Sequence, residues 1–243
     1  MPYNLPHLQL SEMTRLGARI RGLGARVDTV AELAEHVVRL LYDELVDPEG
    51  ARATALVRFY RTVDYGRLDA SLREFGARLM PHQSLGPDTR CLTLLASAGD
   101  KPAWNSPTTS VGHRTIPLPS TQVVETIPMV AQLLAQLGID IASVVTPDPG
   151  LMLEADQRTY NVFYVPEAAG SPFIPAQQEF VAPFHIRSVV GFGGVLAPRD
   201  VFAVLMFATV PIPRSVADIF RNAAMNLKLA LLPYADVSGV SAG

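Results

Sequence analysis

The stretch from Ile174 to Tyr234 constrains the fold most. It reads as a short helix, a strand, a tight turn, a second strand and a long amphipathic helix: IPAQQEFVAPFHI, RSVVGFGGVLAP, RDVFAVLMFATV, then PIPRSVADIFRNAAMNLKLALLPY. Ser188 to Leu196 and Val201 to Val210 are rich in strand formers and are separated only by APRD. So short a connection joins antiparallel neighbours, because a parallel pair needs a long crossover. The helix after Pro213 places Val216, Ile219, Phe220, Ala223, Ala224, Leu227, Ala230 and Leu231 on one stripe, with Arg221, Asn222, Asn226 and Lys228 off it. Part of that stripe must cover the sheet. Such a unit closes a sheet and docks a helix on it, which suits sensing or binding better than catalysis.

The rest of the chain supplies an α+β pattern. Residues 8–26 carry Leu10, Met13, Leu16, Ile20 and Leu23 at helical spacing, weakened by Gly17, Gly22 and Gly24. Thr29 with Glu32 fits a capping box ahead of the stripe Val30, Leu33, Ala34, Val37, Val38 and Leu41. Strands are expected over 54–63, 90–98 and 159–165, and a short helix over 68–80. Val123 to Leu137 is helical by pattern, broken near Pro128 and ended by Gly138, with one further turn over Ile141 to Val145. Gln177 to Phe184 is expected as a short helix ended by Pro183. Two irregular stretches, KPAWNSPTTSVGHRTIPLPS and PEAAGSPFIP, are dense in Pro, Gly, Ser and Thr. The five strands form a small antiparallel sheet with helices packed on at least one face. Residues 1–27 read as an N-terminal helical extension, 28–234 as one domain and 235–243 as a flexible tail.

Composition narrows the function classes. With 49% hydrophobic and 18% charged residues the chain can bury a sizeable core. Its longest apolar runs, such as Val201 to Val210, are about half of what a spanning helix needs. The start, MPYNLPHLQLSEM, lacks the basic and then apolar order of a leader, so a cytoplasmic location is expected. A net charge of −3 without a basic run argues against a nucleic-acid partner. The single Cys91 excludes an internal disulfide and a multi-cysteine metal site.

Candidate chemistry is sparse. Gly191, Gly193 and Gly194 do not have the GxGxxG spacing, and a strand follows where a phosphate loop needs a helix, so a bulge or a close backbone contact is expected. His7, His36 and His82 form no ligand pair at helical spacing. No GxSxG elbow occurs. Cys91, on a strand, reads as a buried structural thiol rather than a chromophore attachment point. His185 reads as a packed or surface residue at a helix end, with a haem ligand or switch as the alternative. His113 reads as a loop residue, with a place at a pocket mouth as the alternative. Trp104 and Asn105 stand in the first irregular stretch, where an aromatic packs down as a lid, joins an interface or simply fills space.

His185-Ile186-Arg187-Ser188-Val189-Val190-Gly191, Gly194-Val195-Leu196 and Val204-Leu205-Met206-Phe207 resemble the helix, strand pair and final helix of a GAF domain. Thr159-Tyr160-Asn161-Val162-Phe163, Phe173-Ile174-Pro175-Ala176-Gln177 and the stretch Asn226 to Pro233 further resemble a GAF-like sensor region of the kind found ahead of bacterial histidine kinases. The resemblance implies a GAF/PAS-like central antiparallel sheet with N- and C-terminal dimerisation helices. It also implies a non-catalytic domain that binds a small molecule or a partner and relays the change through those helices. A homodimer and a histidine kinase or other signalling protein are the partners it implies. The phosphoacceptor and ATP-binding motifs of a kinase are absent from this chain, so no kinase activity is expected in it. A ligand, if one binds, is expected between the sheet and the segments Lys101–Pro119 and Glu167–Phe184, the long connections rich in Pro, Gly and aromatics. There it would be lined by Tyr160, Phe184, Arg187 and Phe192, with His185 nearby and Trp104 closing over it. No cofactor is required. Two alternatives remain: a dimerisation module whose pocket is filled by side chains, and a haem- or chromophore-based sensor.

Overall fold

A computed structural model describes residues 2–110, 112–147, 161–196 and 200–235. The strands are β1 (Tyr3–Asn4), β2 (Leu45–Val46), β3 (Thr54–Asp64), β4 (Arg90–Gly99), β5 (Thr115–Leu118), β6 (Val162–Val165), β7 (Ser188–Leu196) and β8 (Asp200–Ala208). β3 to β8 form one six-stranded sheet of order β5-β4-β3-β8-β7-β6, in which every neighbouring pair is antiparallel. β1 and β2 form a separate parallel pair.

β5 lies inside the stretch expected to be irregular. Its Pro117 stands opposite Cys91 of β4. A proline lacks the N–H a central strand needs, but it is tolerated on an edge strand, and β5 is an edge. The antiparallel β7–β8 pair forms as expected, in unbroken register from Ser188 opposite Ala208 to Leu196 opposite Asp200. Of the two roles open to its glycines, close approach is the one observed: a Cβ on Gly193 would lie 2.2 Å from the Phe202 carbonyl oxygen. The turn residues 197–199, the expected strand start at 159–160 and the expected tail from 236 lie outside the described residues.

The helices are α1 (Leu10–Leu23), α2 (Val30–Glu44), α3 (Ala70–Leu79), α4 (Thr121–Glu125), α5 (Pro128–Leu137) and α6 (Ile141–Val145), followed by a short helix Arg214–Ile219 and the closing helix Arg221–Leu231. Thr29 caps α2, its Oγ1 accepting from the Glu32 N–H at 3.1 Å. The Glu32 carboxylate accepts from the N–H of Asp28 rather than of Thr29, so only half of the capping box forms. Pro128 separates α4 from α5, and Gly138 ends α5 with a φ of 75°. The helix expected from Gln177 to Phe184 is a single π turn, Gln177–Val181. No described helix is long and apolar enough to cross a membrane.

Alternation along the strands gives the sheet two cores. On the first face Phe59, Phe192, Phe202 and Phe220 lie with α1, α2 and the closing helix, and the rings of Phe192 and Phe220 stack at 5.9 Å. α1 belongs to this core, with Met13, Leu16 and Ile20 fully buried. Its glycines allow the contact: a Cβ on Gly17 would lie 2.6 Å from Asn226 Nδ2, and one on Gly24 would lie 2.8 Å from the Ala230 carbonyl oxygen. An ion pair between Arg19 and Glu44 ties α1 to α2 and holds the Glu44 carboxyl below its ordinary value. On the second face Leu56, Tyr60, Phe163, Val189 and Leu205 lie beneath α4, α5, α6 and the two long connections.

Candidate functional site

The second face is where the two connections meet. Trp104 packs against Phe184 with ring centroids 4.5 Å apart and against Phe180 at 5.5 Å, edge-on. Phe180 in turn meets Phe207 of β8 at 4.9 Å. The Lys101 ammonium sits 4.7 Å from the Phe184 ring centroid and 5.4 Å from that of Trp104. Each connection is pinned by one amide side chain. Asn105 donates to the carbonyls of Gly99 and Lys101 at 2.8 and 2.9 Å and accepts from the Gly99 N–H and from Arg39. Gln177 donates to the carbonyls of Ala168 and Ile174 at 3.0 and 2.7 Å and accepts from the Gly170 N–H. Trp104 is therefore held over the sheet from a loop fastened to the end of β4.

Beside this seal lies a buried polar group. β3 points Leu56, Arg58 and Tyr60 onto the second face, because alternate strand residues share a side. Arg58 is 8% exposed. Its guanidinium donates to Ser110 Oγ at 2.9 Å, to the Tyr60 hydroxyl at 3.2 Å and to the Gly112 carbonyl at 3.3 Å. All three acceptors are neutral, and no carboxylate among the described residues pairs with it. Its Nε has no hydrogen-bond partner. Directly across on β4 stands Ser97, fully buried, whose Oγ also has none. At the rim is His113, in a left-handed conformation with φ 58°. Its pKa is lowered, first by the packed surroundings of the loop and then by the Arg58 charge, although the residue keeps an exposed edge.

Other charges on the sheet are compensated. Arg61, also on β3, binds Asp200 at 2.6 Å and the carbonyls of Tyr234 and Ala235 at 3.1 Å. Arg90 binds Asp64 and Asp200, each at 2.5 Å. A cleft of about 700 Å³ at the β6 edge is bordered by Gln136, Asn161, Tyr164, Arg214 and Arg221. Both of its arginines lean on Asp218, at 3.0 and 3.4 Å. Among the described residues no cluster of His, Cys, Asp and Glu could hold a metal ion.

The residues expected to line a ligand site are brought together only in part. Trp104 and Phe184 touch. Phe192 faces the other way, into the first core against Phe220, because strand alternation assigns it there together with Val190. Arg187 and His185 are exposed. His185 has a φ of 52° in the turn between the π helix and β7, a backbone role that histidine fills more readily than most residues. Tyr160 lies outside the described residues. The sequence reasoning passed over Arg58, Ser97 and Ser110. A signal was present in TALVRFYRTV, where Arg58 and Arg61 interrupt a strand rich in apolar residues. The chain matches no family model and no curated protein.

Proposed function

We propose that this chain is a non-catalytic sensory domain of the GAF/PAS kind, which takes a small molecule on the second face of its sheet and passes the change through its end helices. One observation carries the reading. One face of the antiparallel sheet is closed by packed helices, while the other holds a buried polar group beside two long connections that meet through Trp104, Phe180 and Phe184. Long connections that cap a sheet are commonly functional, and mostly apolar sites with a few placed polar groups suit small ligands. The relay would run through the closing helix and α1, which the Gly17 and Gly24 contacts join along their lengths. The output partner in this reading is a second copy, or a histidine kinase or other signalling protein, in the cytoplasm.

Native mass spectrometry of freshly purified protein tests the reading. The expected result is a retained small molecule that denaturation releases. A ligand-free homodimer, at twice the 26.3 kDa chain mass, would favour the second reading, a dimerisation module with a filled pocket. The direct contacts of Trp104 with Phe180 and Phe184 supply the observation on that side. A visible absorption band would point instead to a chromophore, for which the exposed His185 gives no support.

A further inference from the structure

We propose that Arg58 and Ser97 anchor an anion site on the second face, and that its occupant is a small apolar molecule bearing one carboxylate. This rests on the reading of that face as a ligand site and names the class of ligand. The argument begins with cost. An isolated cation taken out of water is strongly penalised unless it is paired. The same sheet pairs its other two buried arginines with Asp64 and Asp200, yet among the described residues Arg58 meets only two hydroxyls and one carbonyl. The positive charge is held in place by neutral acceptors and has no counter-charge among the described residues.

The open donors indicate the shape of the missing partner. Nη1 and Nη2 are engaged by Tyr60, Gly112 and Ser110. What remains is the Nε–H of Arg58, one N–H of its Nη2 and the hydroxyl of Ser97; the Nε and the Ser97 Oγ are buried and have no partner at all. The two residues are directly opposite across β3 and β4, where Cβ atoms stand about 5 Å apart. The Nε–H and Nη2–H edge of the guanidinium fits the two oxygens of a carboxylate side-on, the Ser97 hydroxyl can donate to the same group, and the single positive charge matches its single negative one. A phosphoryl group brings a charge of about −1.5 to −2 at neutral pH, more than the single Arg58 cation offsets in a buried site. The body of the ligand would meet apolar surface: Leu205 stands opposite Arg58 on the β8 side, and Leu56, Tyr60 and Leu94 share the face. Ser110 and Gly112, which bind Arg58, would also sense occupancy, since their contacts compete for the same guanidinium.

The test is a thermal-shift and calorimetric titration of the full chain in a carboxylate-free, low-salt buffer. The probes are butyrate and benzoate, their uncharged amides, and inorganic phosphate. The carboxylates are expected to raise the melting temperature, and the amides and phosphate to leave it unchanged. Ser97→Ala should weaken carboxylate binding about tenfold, and Arg58→Met by about ten- to a hundredfold, as loss of hydrogen bonds to a charged group implies. Without ligand, Arg58→Met should melt at or above the wild-type temperature, because it removes an uncompensated buried charge. Arg61→Met should melt below, because it takes one of two arginines from Asp200 and leaves the buried carbonyls of Tyr234 and Ala235 without their donor. The proposal is overturned if Arg58→Met destabilises the unliganded protein as Arg61→Met does, since Arg58 is then a structural strut. It is also overturned if no carboxylate gives an Arg58-dependent shift, or if phosphate alone does. A neutral molecule retained in native mass spectrometry with a silent carboxylate arm would sink this proposal and leave the sensory reading standing. A bare chain with all arms silent would sink both.

Discussion

Arg58 and Arg61 lie on one strand, are similarly buried, and have opposite surroundings. Arg61 is saturated by a carboxylate and two carbonyls, whereas Arg58 has only neutral acceptors and an idle Nε. Two other side chains give predictions at this scale. Cys91 is fully buried, and its thiol is pushed up to about 12, chiefly by desolvation. Without thiolate at neutral pH it should resist disulfide reagents in the native state and react at once in guanidinium. Prompt native labelling would instead indicate an accessible thiolate and revive chromophore attachment. The sign of the linkage follows. The folded value lies above the unfolded one of 9.0, so this contribution to stability is whole below pH 9.0 and is lost as pH climbs toward about 12. Phe220 is fully buried and stacked on Phe192. Phe220→Ala should lower stability by about 3–5 kcal/mol in chemical denaturation, the usual cost of truncating a buried aromatic. An unchanged midpoint would remove this face from the core.

Among the elements, β7 and α1 make the same use of glycine. β7 lies so close to β8 at Gly193 that a methyl group would enter the Phe202 carbonyl. The obstacle is backbone in a continuous ladder, so it cannot swing aside. Gly193→Ala should therefore cost about 1–3 kcal/mol or more by overpacking, read as a lower melting temperature. A wild-type melting curve would mean that the two strands can part. In α1 the glycines lower intrinsic helix propensity, yet they bring its backbone against the closing helix. Propensity is a local term, and the packing it gives up is recovered across the helix pair. β5 illustrates the converse. Pro117 speaks against a strand locally, and only the free edge of β4 makes one there.

For the whole molecule the open question is what lies on the outside of the terminal helices. The stripe from Val216 to Leu231 is largely spent inside the chain, against α1 and the sheet. A second, smaller stripe remains: Met225, Leu229 and Leu232 are 44%, 44% and 49% exposed and fall at helical spacing. If the terminal helices dimerise, as the sensory reading proposes, light scattering at micromolar concentration should give twice the 26.3 kDa chain mass. Leu229→Arg should then return a monomer with an unchanged circular dichroism spectrum. A wild-type monomer would remove the dimer from the proposal.

The α+β class, the antiparallel β7–β8 pair, the break at Pro128 and the cap at Gly138 were legible in the sequence. Each depends on near neighbours: apolar periodicity, a short connection, a missing N–H, a residue that accepts positive φ. The site was legible in outline only. The two connections that meet at Trp104 and Phe184 could be named from their length and composition. That Phe192 faces the opposite core, and that Arg58 and Ser97 stand opposite each other with the Nε of one and the Oγ of the other unpartnered, could not. Those facts depend on register and on which face each residue takes, and a one-residue slip reverses the face. Local chemistry thus determined the elements of this protein. Pairing between segments far apart in the chain decided which side chains meet, and with them which buried arginine meets only neutral acceptors among the described residues.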